Sequence, residues 1–237
     1  MAESGKQNPF EPPYDEETAP MIRKVIAQRL LESKLTIPHF YLFDEVDMGE
    51  AVVLREELNS GGNEKISFND IIVKAAAVVL ERHPECNVSY VDGKIRRYLE
   101  ININIAVAVE GGLLVPTLRN CEGKGLREIS SETRVLAQKA RDKKLRPQEN
   151  MGGTFTISNL GVFGLEGSFS IINPPQAMIL TTGAIRKVPV VKNDALAVGK
   201  RMKVTLSCDH RVVDGAVGAA FLADVKEALE NPRAHIL

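Results

Sequence analysis

The chain has 237 residues, a formal net charge of -1 and 26% charged residues. This length can bury a sizeable core in one large domain or two small ones. The sequence shows neither a basic surplus that favours nucleic acid nor an apolar run long enough to cross a bilayer. Its three cysteines have no metal-type spacing and fit a reducing compartment. We therefore expect no nucleic-acid partner, no membrane insertion and no metal.

The N-terminal segment and the first helix are predicted from composition and periodicity. Residues 1–20 contain four prolines among acidic and small residues, and such a segment buries too little apolar surface to order itself. We predict a flexible linker over 1–20 and a single ordered domain over 21–237. The domain opens with a helix, because five residues, all apolar except Arg29, fall at helical spacing on one face: Ile22, Val25, Ile26, Arg29 and Leu30.

The rest of the chain mixes helical and strand patterns. Segment 71–80 is apolar nearly all round, which is typical of a central helix, and Ser67 and Asp70 offer N-cap chemistry before it. Other predicted helices are 51–58, 126–143 and 214–230. Predicted strands are 41–48, 87–90, 93–98, 101–109, 113–116, 154–158, 177–184 and 203–207. This pattern predicts an α+β fold in which a mixed sheet carries helices.

His210 lies between a predicted apolar strand and the final predicted helix. A histidine that abstracts a proton needs a fixed tautomer, which a carboxylate such as Asp214 supplies directly or by fixing an arginine. The spacing alone equally fits an ordinary surface histidine. The rigid strand before it, Gly215 after it and the charged run 209–211 at a strand end favour catalysis. Structural roles are predicted for the other three histidines: His39, His83 and His235.

A second cluster places hydroxyls on one face of the predicted strand over 154–158. Thr154, Thr156 and Ser158 alternate along it, and an Asn-Leu-Gly turn follows. A hydroxyl aimed at a developing oxyanion is a catalytic device. The alternative is that these residues are ordinary strand formers, and the residue types alone favour that alternative.

Four segments, in this order, carry a resemblance to one family. The chain resembles the dihydrolipoamide acyltransferases, the catalytic (E2) domains of the 2-oxo acid dehydrogenase complexes, from about residue 21 to residue 237. Within that family the residues of these motifs are most similar to those of the acetyltransferases of pyruvate dehydrogenase complexes. The segments are IRKVIAQRL at 22–30, TISNLG at 156–161, INPPQA at 172–177 and DHRVVDG at 209–215.

The resemblance implies a chloramphenicol-acetyltransferase-like fold and a trimer with an active site at each subunit interface. CoA would enter from one side and the dihydrolipoyl group from the other. His210 would be the general base on the CoA thiol, and Ser158 of the neighbouring subunit would donate a hydrogen bond to the oxyanion. Asp214 would support the site by pairing with an arginine of the first helix, for which Arg29 is the candidate.

The resemblance also implies partners and a compartment. Trimers would form a cubic or dodecahedral cage through an apolar C-terminus, here Ile236 and Leu237. The lipoyl group is expected from another domain or chain, since no lipoylation motif is present, and E1 and E3 would bind through modules absent from this sequence. The compartment would be bacterial cytoplasm or mitochondrial matrix. Two alternatives stay open: a catalytically weak structural core subunit, and a free-standing small-molecule acetyltransferase of the same fold.

Overall fold

The computed structural model describes residue 10 and residues 12–61 and 65–237. Most of the predicted linker over 1–20 lies outside these residues or forms no helix or strand, and its flexibility stays a prediction. The helices of the described part are Met21–Thr36 (α1), Gly49–Ser60 (α2), Phe68–Arg82 (α3), Leu126–Arg141 (α4), Gly215–Glu230 (α5) and Pro232–His235 (α6). The strands are His39–Asp47 (β1), Val88–Val91 (β2), Lys94–Arg97 (β3), Ile103–Ile105 (β4), Val107–Val109 (β5), Gly112–Leu114 (β6), Thr117–Leu118 (β7), Phe155–Asn159 (β8), Met178–Thr182 (β9), Arg186–Lys192 (β10) and Ala195–Asp209 (β11).

A seven-stranded mixed sheet organises the domain. Its strands follow the order β1-β11-β9-β8-β4-β7, and β10 pairs with the first half of β11. The pairs β4–β8 and β8–β9 are parallel, whereas the other pairs in this sheet are antiparallel. Two small hairpins, β2–β3 and β5–β6, stand apart from it. The predicted α+β architecture, a mixed β-sheet flanked by helices, is confirmed.

Helix α3 forms the centre of the core. It begins where the sequence predicts, because the Ser67 hydroxyl accepts from the Asp70 backbone N–H at 3.2 Å and the Asp70 carboxylate accepts from the Ser67 N–H at 2.7 Å. Helix α5 packs against both α3 and β1. Phe221 of α5 lies 5.7 Å from Phe155 of β8, centroid to centroid, and both rings are buried. The start of α5 is therefore held against the sheet by the core.

The prediction of one continuous strand over 101–109 is wrong at Ala106, where the chain changes partners. The Ala106 N–H donates to the Ile157 carbonyl oxygen at 3.0 Å, and the chain then leaves the large sheet. Residues Val107–Val109 pair instead with β6 in a separate hairpin. Gly111 closes that hairpin with a φ of 82°, a conformation that favours glycine. The alternation of apolar residues continues through the bend, so periodicity alone did not reveal it.

The β10–β11 hairpin is a further difference from the sequence prediction, which covers only the last part of β11. The turn lies at Asn193 and Asp194, with φ values of 51° and 60°. Asn and Asp tolerate this left-handed conformation, and it matches the twist of a two-residue hairpin. Pro189 is accommodated because β10 is an edge strand bonded only to β11.

Two general features bear on the site. Within the part of the chain that the structure describes, no helix is both long and apolar enough to span a bilayer. The three cysteines are buried and unbridged, and burial raises the pKa of each thiol to about 12. These thiols are therefore protonated at neutral pH and are poor nucleophiles.

Candidate active site

His210 follows directly on the last residue of β11. Its backbone N–H donates to the Pro38 carbonyl oxygen at 3.1 Å, and its ring centroid lies 4.7 Å from that of Phe40. Phe40 belongs to β1, and the whole length of β1 pairs with the second half of β11. The His210 side chain is 54% exposed. A rigid strand pair thus positions the imidazole while leaving it open to a ligand.

The charged neighbours of His210 neutralise each other. Asp209 is 2% exposed, and its carboxylate accepts from Nη2 of Arg211 at 2.7 Å and from Nε at 2.9 Å. It also accepts from the Arg211 backbone N–H at 3.0 Å. The guanidinium lies 4.7 Å from the ring centroid of Tyr90, and the bonds to Asp209 raise the pKa of Arg211. This clamp fixes the turn that carries His210.

Asp214 occupies the N-cap position of α5 but makes no capping hydrogen bond with its side chain. Its Oδ1 lies 4.0 Å from Nδ1 of His210, and the carboxylate is exposed. Among the described residues, no ion pair joins Asp214 to Arg29. Arg29 instead lines the groove into which Ser158 opens, as described below, and its pairing with Asp214 stays a prediction.

Strand β8 places the predicted hydroxyls in different environments. Thr154 precedes the strand, and its hydroxyl is bonded to the backbone of Asn102. The Thr156 hydroxyl donates to Oε1 of Gln176. In the described part of the chain, the Ser158 hydroxyl has no hydrogen-bond partner. Ser158 is therefore the member of this set that remains available to a ligand.

The turn after Ser158 is rigid. The Asn159 side chain accepts from the Gly161 N–H at 2.9 Å, and the Leu160 N–H donates to the Thr182 carbonyl oxygen at 3.0 Å. A Cβ at position 161 would lie 2.3 Å from the Gly183 carbonyl oxygen, so a larger residue does not fit there without a shift. The Asn-Leu-Gly sequence thus anchors the end of the strand that presents Ser158.

Ser158 opens into a groove of about 690 Å³ between α1 and the sheet. One wall is the apolar face of α1, whose residues Ile22, Val25 and Leu30 are exposed in the single chain. Only Ser33 of this helix is buried. The other walls are the β5–β6 hairpin and the segment 170–173.

The groove brings together two of the four predicted site residues. Ser158 and Arg29 line it, whereas His210 and Asp214 do not. His210 and Asp214 lie near each other at the opposite end of β11 from its hairpin with β10. One chain therefore carries the predicted site in two separate halves.

The sequence prediction missed the wall formed by the segment between β8 and β9. This segment is held by side-chain hydrogen bonds from three neighbouring elements. Ser207 donates to the Ser170 carbonyl oxygen at 2.7 Å, Thr181 donates to the Ser170 hydroxyl at 2.6 Å, and Ser33 donates to the Ile172 carbonyl oxygen at 2.6 Å. Hydroxyl residues inside otherwise apolar strands, such as Ser207 and Thr181, were the available signal, because buried hydroxyls need partners.

His39 also holds this wall. The Ile172 N–H donates to its Nε2 at 3.1 Å, so the ring proton resides on Nδ1, which lies 2.9 Å from the Ile37 carbonyl oxygen. Both ring nitrogens are thus used by the backbone, in keeping with the predicted structural role. His235 contacts Glu227 at 3.7 Å, also away from His210.

His83 belongs to the cluster of the described residues that could ligate a metal. Ligand atoms of His83, Glu85 and Cys86 lie within 4.8 Å of one another. The His83 ring nitrogens, however, lie 3.1 Å from Glu85 and 2.8 Å from Asp224. Because burial also keeps the Cys86 thiol protonated, the cluster is better suited to joining α3 to α5 than to holding a cation.

Comparisons with known proteins bear on these two half-sites. The family model for 2-oxoacid dehydrogenases acyltransferase (catalytic domain) matches residues 11–237. The chain is 49% identical over 220 residues to the dihydrolipoyllysine-residue acetyltransferase component of pyruvate dehydrogenase complex from Rickettsia bellii. It is 48% identical over 223 residues to the mitochondrial component 3 from Arabidopsis thaliana. Each match covers 91% of this chain but 53% and 41% of those relatives, so the chain spans about half of their length.

Solved structures agree with the family match. Dihydrolipoamide acetyltransferase from Azotobacter vinelandii is 31% identical with a TM-score of 0.88, covering 97% of this chain and 100% of that one. The cubic core of the pyruvate dehydrogenase multienzyme complex is 32% identical, with the same TM-score and coverage. Chloramphenicol acetyltransferase, at 14% identity and a TM-score of 0.55 over 85% of this chain and 94% of that one, confirms the predicted fold and nothing more. The chain belongs to the family of 2-oxoacid dehydrogenase acyltransferase catalytic domains.

Proposed function

We propose that the chain transfers an acetyl group between a dihydrolipoyl thiol and CoA, as the catalytic core domain of a pyruvate dehydrogenase complex. The observation that carries this proposal is the unbonded Ser158 hydroxyl in a groove, combined with an exposed His210 on a rigid strand end. The Azotobacter vinelandii enzyme was studied for a serine, a histidine and an asparagine in its mechanism. Their spacing along that chain equals the spacing of Ser158, His210 and Asp214 here.

The proposed reaction uses His210 as general base and Ser158 as hydrogen-bond donor. His210 removes the proton of the CoA thiol, and the thiolate attacks the carbonyl carbon of the acetyl-dihydrolipoyl thioester. The carbonyl oxygen becomes an oxyanion that accepts a hydrogen bond from Ser158. The bond from carbon to the dihydrolipoyl sulfur then breaks, and the imidazolium returns its proton to the leaving thiolate. A thiol with a pKa of about 8.5 matches an imidazole base near neutral pH.

We further propose that the two halves meet between subunits of a homotrimer. His210 and Asp214 of one copy would face Ser158 and Arg29 of the next. Support comes from the absence of His210 and Asp214 from the groove of their own chain and from the exposed apolar face of α1. In this arrangement Arg29 pairs with Asp214 across the interface and supports the site without touching the reacting atoms.

Mixing two inactive variants tests the shared site. Ser158→Ala subunits keep His210, and His210→Ala subunits keep Ser158. In trimers assembled at random from equal amounts, about a quarter of the interfaces join the two intact residues, and activity should return to about that fraction of the parent's. Trimers of either variant alone are the control. A mixture with no more activity than its components would contradict a site between subunits.

We propose that trimers associate into a cage and that Leu237 contributes to the contact. Ile236 is 3% exposed and belongs to the core of its own chain, so it is not free to dock elsewhere. Leu237 is exposed and lies beside a groove of about 420 Å³ that Leu58 and Leu126 also line. The related cubic core supports this assembly.

Light scattering measures that assembly directly. We expect the parent chain to form particles much larger than a trimer, and Leu237→Asp to shift them to trimers because a charge replaces the docking side chain. Trimer folding, followed by thermal unfolding, should be unaffected, since Leu237 is exposed. A parent that forms only isolated trimers would refute the cage.

The proposal also includes the bounds of the catalytic domain, the lipoyl domains that carry the acyl group, the E1 and E3 partners, and the compartment. The catalytic domain is proposed over 21–237, although the family match begins at residue 11. Lipoyl domains would deliver the acyl group, and E1 and E3 would associate through modules outside these 237 residues. Relatives from a bacterium and from mitochondria support bacterial cytoplasm or mitochondrial matrix as the compartment.

An acyl-transfer assay tests the function itself. The purified chain should transfer acetyl from acetyl-CoA to dihydrolipoamide, with slower transfer from succinyl- and isobutyryl-CoA. The same preparation, offered acetyl-CoA and chloramphenicol, serves as the control for a small-molecule acetyltransferase. Transfer to chloramphenicol alone would replace the proposed function, and no transfer to any acceptor would favour a structural core subunit.

A further inference from the structure

We propose that Ser170 is a second hydrogen-bond donor to the acyl oxygen, acting beside Ser158. This inference rests on the proposed acyl transfer and adds a catalytic residue to it. Ser170 lies in the wall between β8 and β9, and it lines the same groove as Ser158.

Four hydroxyls in and beneath the groove differ in whether they donate their protons within the chain. Each hydroxyl has one proton to donate. Thr156 donates its proton to Gln176, and Thr181 donates its proton to the Ser170 oxygen at 2.6 Å. Neither Ser158 nor Ser170 donates its hydroxyl proton to any other described residue. Two serine protons therefore remain for a ligand in the groove.

Strand register places the two serines near each other. Ser158 and Thr181 are register partners in the parallel pair β8–β9. Adjacent strands lie about 5 Å apart, and register partners direct their side chains to the same face of the sheet. Because the Thr181 hydroxyl also contacts Ser170, the hydroxyls of Ser158, Thr181 and Ser170 form one group at this edge of the groove. We infer that one ligand oxygen in the groove accepts from both serines.

Ser170 is also held in advance of the reaction. Ser207 donates to its carbonyl oxygen at 2.7 Å, and Thr181 donates to its hydroxyl oxygen. Accepting one hydrogen bond polarises the Ser170 O–H and strengthens it as a donor. A donor fixed before reaction stabilises the oxyanion without the cost of reorganising when the charge develops.

The chemistry requires no additional reactant. The thiolate forms a carbon–sulfur bond, and the π electron pair of the carbonyl moves onto oxygen, where Ser158 and Ser170 donate hydrogen bonds. When the pair returns, the bond to the leaving sulfur breaks. Ser170 keeps its proton throughout, and the proton exchange between the two thiols passes through His210 as before.

Substitution of Ser170 by alanine is the test. We expect kcat for acetyl transfer to fall by about tenfold or more, with KM for both substrates within about twofold, because the contact strengthens in the transition state. Ser168→Ala is the matched control, since it lies in the same wall but does not line the groove; it should leave kcat unchanged.

A second variant tests whether a structural disturbance, and not a lost donor, lowers kcat in Ser170→Ala. Ser170→Ala leaves the buried Thr181 hydroxyl without its acceptor, which could disturb the wall. Adding Thr181→Val removes that hydroxyl, so the double variant should recover activity if the disturbance were the cause. We expect the double variant to remain as impaired as Ser170→Ala.

The outcomes separate this inference from the proposed function. A Ser170→Ala kcat within twofold of the parent, a change confined to KM, or recovery on adding Thr181→Val would each overturn the role of Ser170. A parent chain that transfers no acetyl group between CoA and dihydrolipoamide would instead overturn the proposed function.

Discussion

Replacement of His210 by alanine is expected to lower kcat for acetyl transfer by about 10²–10⁴-fold at neutral pH, the range that a positioned general base contributes. The side chain is more than half exposed and contacts mainly Phe40. Its removal should therefore change the free energy of unfolding by no more than about 0.5 kcal/mol, as is usual for surface positions. Steady-state kinetics and thermal unfolding of the same preparation measure both effects.

The pH dependence of the variant distinguishes a lost base from a damaged fold. Without His210 the CoA thiol must lose its proton without a base. For a thiol of pKa about 8.5, the thiolate fraction at lower pH rises roughly tenfold with each unit of increase in pH. The rate of His210→Ala should therefore rise with that slope between pH 6 and 8, whereas the rate of the parent should rise less steeply. His235→Ala, distant from His210, is the control. Activity of His210→Ala within a few-fold of the parent would exclude the residue as the base.

Replacement of Ser158 by alanine is expected to lower kcat by about 10²–10³-fold with little change in KM, because one oxyanion donor is lost and its contact exists mainly in the transition state. The Ser158 hydroxyl has no partner in the described part of the chain, so its removal leaves no buried group unsatisfied. Steady-state kinetics with both substrates varied separates kcat from KM. A rise in KM alone would assign Ser158 to substrate binding.

Local patterns predicted the elements that local contacts stabilise. Helix α3 was predictable from its apolar run and from the capping box of Ser67 and Asp70, which involves residues three apart. The placement of His210 after a strand and before a helix was predictable for the same reason. The break at Ala106 was not, because the alternation of apolar residues continues while the strand changes partners. The β10–β11 hairpin was missed although Asn193 and Asp194 are typical turn residues.

Local sequence patterns and motifs were enough to predict the α+β class, the family resemblance and four residues of the proposed chemistry: His210, Ser158, Asp214 and Arg29. Tertiary contacts were needed to place these four residues in two separate halves of one chain and to show that Asp209 and Arg211 clamp the His210 turn. They were also needed to place Ser170 at the border of the groove, through bonds to Thr181 and Ser207. Separation along the chain explains the difference, because Ser207 and Ser170 are 37 residues apart, and a hydrogen bond between them depends on sheet register and not on any local pattern.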